Sequence, residues 1–201
     1  MLDPKFVLVG ALLNLSGSTS YVLATLKGKT KPNRITWILW ALAPLIAFAA
    51  ELNEGVGLRS LMTFMVGFGP LMIVTASFVN KKSFWKLTTF DYVCGGLSVL
   101  GLLLWAITRH GNVAIIFSIL ADGLAAVPTV VKSYKQPQTE RAYIFTAGAV
   151  SAAITLLTID KWTLANYGFP LYVLLICTLL ASLIRFKIGP KLMHNLEEIT
   201  L

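Results

Sequence analysis

Seven apolar stretches, near residues 5–26, 35–53, 59–79, 88–108, 113–131, 142–159 and 164–185, fill most of this 201-residue chain. Each approaches the ~20 residues that a helix needs to cross about 30 Å of hydrocarbon. The chain is 56% hydrophobic and 13% charged, with a mean hydropathy of +0.75. A water-soluble domain of that make-up would expose a very large apolar surface. The expected fold is therefore an all-α integral membrane protein of seven transmembrane helices. The short connections leave no room between spans for a soluble catalytic domain.

The charges give the expected topology. Lys27, Lys29, Lys31 and Arg34, then Lys81, Lys82 and Lys86, then Lys132, Lys135 and Arg141, then Arg185, Lys187 and Lys191 all follow odd-numbered spans. Lys5, Arg59, Arg109 and Lys161 are the remaining basic residues, and they mix with Asp3, Glu51, Glu54 and Asp160. Basic loops stay on the cytoplasmic side, so the N-terminus is expected outside and the C-terminus inside. A formal net charge of +8 then reflects topology and anionic headgroups, and nucleic acid is not an expected partner. In the first span the positive charges follow the apolar run, so it reads as a retained helix and not as a signal peptide.

One carboxylate breaks the apolar pattern. Asp122 lies in the middle of Asn112-Val-Ala-Ile-Ile-Phe-Ser-Ile-Leu-Ala-Asp-Gly-Leu-Ala-Ala-Val-Pro128. An acid at mid-membrane costs roughly 2.5–3.5 kcal/mol on insertion scales, so it usually faces a cavity or a partner. It can act as a structural carboxylate, bind a polar solute, or exchange a proton as its cavity opens to either side.

An internal repeat is visible. Tyr21-Val-Leu-Ala-Thr-Leu-Lys-Gly-Lys-Thr-Lys-Pro-Asn-Arg34 aligns without a gap to Pro128-Thr-Val-Val-Lys-Ser-Tyr-Lys-Gln-Pro-Gln-Thr-Glu-Arg141. Likewise Gly69-Pro-Leu-Met-Ile-Val74 corresponds to Phe169-Pro-Leu-Tyr-Val-Leu174, which pairs Pro70 with Pro170. Both triplets of spans run in the same direction, which makes them parallel copies joined by an inverting fourth helix. The expected division is a first three-helix bundle over 1–81, a linker helix over 82–111, a second bundle over 112–186 and a cytoplasmic tail over 187–201.

This 3+1+3 plan, with a lysine-rich loop after the first helix of each repeat and the mid-helix prolines Pro44, Pro70, Pro128 and Pro170, resembles the SWEET and PQ-loop superfamily of seven-helix membrane transporters. The resemblance covers nearly the whole chain. The family's Pro-Gln pair falls near the cytoplasmic end of each repeat's first helix, where this chain has Tyr21-Val22 and Pro128-Thr129. The resemblance implies a transporter of a small, sugar-like polar solute working by alternating access, facilitative or proton-coupled, in the plasma (inner) membrane. Related architectures serve as vitamin, nucleoside or amino-acid carriers, and others as receptors that bind a peptide without transport. For that last role only Arg59 and Arg109 could hold a peptide carboxylate.

Candidate substrate contacts follow. Asn14, Gly17, Ser18 and Tyr21 share one face of the first helix. Asn14 lies at about the depth of Asp122, and under parallel duplication both face one cavity. The alternative for Asn14 is an interhelical hydrogen bond alone, and Asp122 is also the candidate proton-coupling residue. Trp40 can stack on a sugar or a heteroaromatic ring, whereas Trp37, nearer the boundary, reads as an interfacial belt residue. Ser151 and Asn166 complete the candidate contacts, although small-residue stripes such as the one holding Ser151 often serve packing. The four prolines are candidate hinges. Glu51, Glu54 and Arg59 form an outer gate or a solvated boundary cluster.

Absent patterns narrow the reading. There is no nucleotide-binding glycine loop and no nucleophile–base constellation, so no enzyme is expected. His110 and His194 have no companion at ligand spacing, and Cys94 and Cys177 read as small buried hydrophobes. No metal or cofactor is expected. The expected partners are a small-molecule solute, the lipid bilayer and further copies of the chain in a homo-oligomer.

Overall fold

The computed structural model describes residues 2–108 and 111–192; side chains of residues 101, 104–106, 108 and 111 are outside the description. The described residues form α1 (Phe6–Leu26), α2 (Arg34–Asn53), α3 (Ser60–Val79), α4 (Thr89–Thr108), α5 (Gly111–Lys135), α6 (Ala142–Leu157) and α7 (Leu164–Phe186). Single 3₁₀ turns at Gly57–Arg59 and Pro137–Thr139 join α2 to α3 and α5 to α6. No strand occurs among the described residues. Five segments, Phe6–Leu26, Arg34–Asn53, Gly57–Val79, Asn112–Lys135 and Leu164–Phe186, are long and apolar enough to cross a membrane, while Ala142–Leu157 is apolar but shorter.

Local chemistry ends the helices where polar residues appear. α1 stops at Gly28, whose φ of 72° favours glycine. The Asn80 amide, at the end of α3, donates to the final carbonyls of α1, Thr25 O at 3.2 Å and Leu26 O at 2.9 Å. Asn33 caps α2 by accepting from the Thr36 amide and donates to Asp91 Oδ1 at 2.6 Å. The other oxygen of Asp91 accepts from the Thr88 amide at 2.6 Å and the Thr88 hydroxyl at 2.7 Å. One carboxylate thus caps α4 and ties it to the start of α2.

The packing repeats itself. α3 packs on both α1 and α2, α7 packs on both α5 and α6, α1 packs on α6, and α2 packs on α5. Exchanging α1, α2 and α3 for α5, α6 and α7 leaves this set of pairs unchanged. α4 packs on α5 and α2, and its Ser98 hydroxyl donates to Ala121 O at 2.5 Å. In lipid, helices associate through close packing and interhelical hydrogen bonds. Gly17 permits this between α1 and α6, because a methyl there would lie 3.0 Å from Ala147 Cβ and 3.1 Å from Ile144 Cα.

The two larger of three buried clusters among the described residues fill much of the interior. One joins Tyr21, Trp37, Trp40, Ile73, Phe145 and Leu180; the other joins Val7, Ala47, Met62, Ala152, Phe169 and Val173. The loops following α1, α3 and α5 meet at one end of the molecule, where the Trp85 amide donates to Pro32 O and the Lys31 amide to Thr139 O. This basic end is opposite the far end, where the Leu2 amide donates to Leu157 O at 2.9 Å.

Three sequence expectations change here. α5 runs to Lys135, one turn past the expected boundary near 131, because Lys132 is buried and paired instead of solvated. Trp37 is 1% exposed and packs in the interior, so it is not a belt residue. Glu51, expected at a solvated boundary or in a gate with Arg59, is buried and accepts from Thr63 Oγ1 at 2.9 Å, while Glu54 is exposed and Arg59 reaches α6.

Candidate solute-binding site

Every described helix except α4 contributes to one central cavity of about 60 Å³. Its polar and aromatic lining comprises Asn14 and Ser18 from α1, Trp37 and Trp40 from α2, Asp122 from α5 and Phe145 from α6. All six are buried. A water needs at least about 10–15 Å³, whereas small-molecule pockets run to about 300 Å³ and more. The cavity has room for a few waters.

Asp122 is held from two sides. Its Oδ2 accepts from the Tyr172 hydroxyl on α7 at 2.6 Å. On the α2 side, the Trp40 indole donates to the backbone oxygen of Asp122 at 3.3 Å, and one turn on Thr36 Oγ1 donates to Ala125 O at 2.9 Å. The indole contact therefore fixes α2 against α5 and leaves the carboxylate free of Trp40. Asp122 Oδ1, Ser18 Oγ and Trp37 Nε1 have no protein partner. An unsatisfied buried polar group costs about 1–3 kcal/mol, so three of them around one cavity call for water or a ligand.

The aromatic wall is tightly built. The Trp37 ring lies 4.8 Å from that of Tyr21 and 5.2 Å from that of Trp40, the latter at 83°. Phe145 meets Trp40 at 6.1 Å and 73°, an edge-to-face geometry that aromatic quadrupoles favour. Opposite, Gly69 on α3 makes room for the polar stripe of α1: a Cβ there would collide with the Ser18 hydroxyl and lie 3.7 Å from Asn14 Oδ1.

Asn14, Ser18, Trp40, Asp122 and Pro70 thus meet at one cavity. Ser151 lies elsewhere, buried in the contact between α6 and α1, where it faces Gly10. Asn166 stands in the first turn of α7, donating to Thr163 Oγ1 at 2.7 Å. Pro44, Pro128 and Pro170 are buried within α2, α5 and α7 away from the lining, and all four prolines sit inside continuous helices. Sequence reasoning missed Phe145 and Tyr172 as site residues. Tyr172 sits two residues beyond Pro170 with no polarity to mark it among its neighbours.

Hydrogen bonds and ion pairs also tie the helices at both ends of the bundle. At the basic end Lys132 forms a buried ion pair with Glu140, donates to Lys31 O at 2.6 Å and lies over the Trp85 ring at 5.2 Å. The Tyr21 hydroxyl donates to the other carboxylate oxygen of Glu140 at 2.5 Å. At the far end the Arg59 guanidinium donates twice to Thr158 O, at 3.0 and 2.7 Å, and meets Asp160 Oδ1 at 3.0 Å. The Asp160 carboxyl is held below its ordinary range by its own backbone amide first, with further help from the Lys161 amide and Arg59.

No family model, no curated protein and no solved structure matches the chain. Among the described residues there is no cluster of three His, Cys, Asp or Glu side chains suited to a metal ion. Arg109, His110 and His194 lie outside the described residues.

Proposed function

We propose that this chain carries a small polar solute across the membrane by alternating access, as two three-helix bundles joined by α4 rock about the central cavity. The observation that carries this reading is the cavity itself: six helices from both halves line one space, to which they bring an amide, a hydroxyl, a carboxylate and two indoles. The helix pairing that survives exchange of the two halves supports the 3+1+3 plan. A SWEET or PQ-loop relationship, an N-terminus outside and a cytoplasmic basic end in the plasma membrane belong to the same proposal.

In this mechanism Asn14, Ser18 and Asp122 bind the solute, and Trp40 with Trp37 and Phe145 packs against it. The prolines let the helices bend, because each removes one backbone hydrogen bond. Asp122, buried and bonded to Tyr172, takes and releases a proton as its cavity opens to either side. Purified protein screened by thermal shift against sugars, amino acids, nucleosides and amines tests the reading, since a ligand of the folded state raises the melting temperature. The expected result is a hit that disappears in Asn14→Ala and Asp122→Ala. A shift produced only by peptides or partner proteins would replace transport with a receptor role.

A further inference from the structure

Resting on that transporter reading, we propose that the solute is a small organic cation, bound by Asp122 against the aromatic wall. Among the fourteen lining residues Asp122 is the sole charged one, and no Lys, Arg or His joins it. Its Oδ2 is occupied by Tyr172, a neutral donor, and its Oδ1 has no partner. A buried carboxylate without a counter-charge is costly, and a cationic solute supplies that charge.

The walls fit the same chemistry. Trp37, Trp40 and Phe145 cross one another near right angles or tilted, so ring faces and edges turn in several directions. A desolvated cation is attracted to such faces. A sugar of the kind the family resemblance implies brings many hydroxyls, each needing a partner once it leaves water. Apart from Asp122 the hydrogen-bonding side chains of the lining are Asn14, Ser18 and the Trp37 N–H, fewer groups than the hydroxyls of a sugar, and the rest is largely apolar. Cation and proton would then alternate on Oδ1. The other titratable groups facing Asp122 among the described residues are Tyr172 and Cys177, both on α7.

The test uses the full-length protein in detergent, with binding followed by calorimetry and tryptophan fluorescence. The probes are butylammonium and tetramethylammonium, their neutral counterparts butan-1-ol and tert-butanol, and glucose. Each ammonium ion is expected to bind at least about tenfold more tightly than its neutral counterpart. Asp122→Asn should erase that preference, and Asp122→Glu should keep it. The wild-type comparison stands even if a variant fails to fold. Glucose bound in preference to the ammonium ions, with unchanged affinity in Asp122→Asn, would overturn the cation assignment and leave the transporter reading intact. No binding by any probe, together with no hit from the wider solute screen, would overturn both.

Discussion

The two ends of the helix bundle are tied together by different physics. At the basic end the joining groups are buried: Lys132 and Glu140 have side chains 1% and 0% exposed, and Tyr21 adds a third member from α1. At the far end Arg59 reaches a carbonyl and a carboxylate whose side chain is 51% exposed. A buried ion pair that loses one partner leaves an uncompensated charge in low dielectric, whereas an exposed pair exchanges its partner for water at little cost. Across the two halves the basic end is joined by the buried Tyr21–Glu140 bond and the Lys132–Lys31 bond, both of which depend on that ion pair. On the proposed alternating-access reading the far end is therefore the one expected to open first.

The largest effect should come from Glu140→Gln, which leaves Lys132 buried without a counter-ion. A loss of about 3–5 kcal/mol is expected, read as a large drop in melting temperature. The double replacement Lys132→Met with Glu140→Leu should recover most of it, because an apolar pair of similar volume removes both charges at once. If the double variant is no more stable than the single one, the pair is not the source of the effect.

Tyr21→Phe comes next. It removes one bond to a charged acceptor, worth about 1.5–3 kcal/mol, and leaves the Lys132–Glu140 pair in place. Gly69→Ala tests the cavity wall: its methyl meets the Ser18 hydroxyl, and overpacking of this kind costs about 1–3 kcal/mol. Solute affinity should fall further than stability does, which a binding isotherm and a melt on the same sample would separate.

The smallest change is expected at the far end. Asp160→Asn should leave the melting temperature close to that of the wild type. The pH dependence there has a definite sign. A carboxyl held below its ordinary range stabilises the fold above that range, and the contribution is lost as pH falls through the lowered value. Acidification should thus loosen the Arg59–Asp160 contact slightly and have no such effect in Asp160→Asn. A far-end variant as damaging as Glu140→Gln would erase the contrast between the ends.

Much of the helix pattern was legible because a lipid span imposes a length, and long apolar runs between basic loops have few other readings. Asn14, Ser18 and Asp122 stood out for a related reason, being polar where everything around them is apolar. Lys132 and Glu140 were hidden by their position, since a lysine at a helix end reads as a topology signal and its buried partner comes from a separate element. Trp37 misled in the same way. Its place near the start of α2 suggests an interface, but Tyr21 and Phe145 cover it. Glu51 is buried because Thr63, twelve residues later, comes back against it on α3.

Alternating access through a firmer basic end is tested most directly by side-specific labelling of Cys177, which lines the cavity. A membrane-impermeant maleimide would be applied to sealed vesicles of each orientation, with Cys94 replaced by Ser. The account predicts faster labelling from the far side than from the basic side in the otherwise unaltered protein, and a faster basic-side rate once Glu140→Gln breaks the ion pair. Equal rates from the two sides with the ion pair intact, or faster labelling from the basic side, would contradict it.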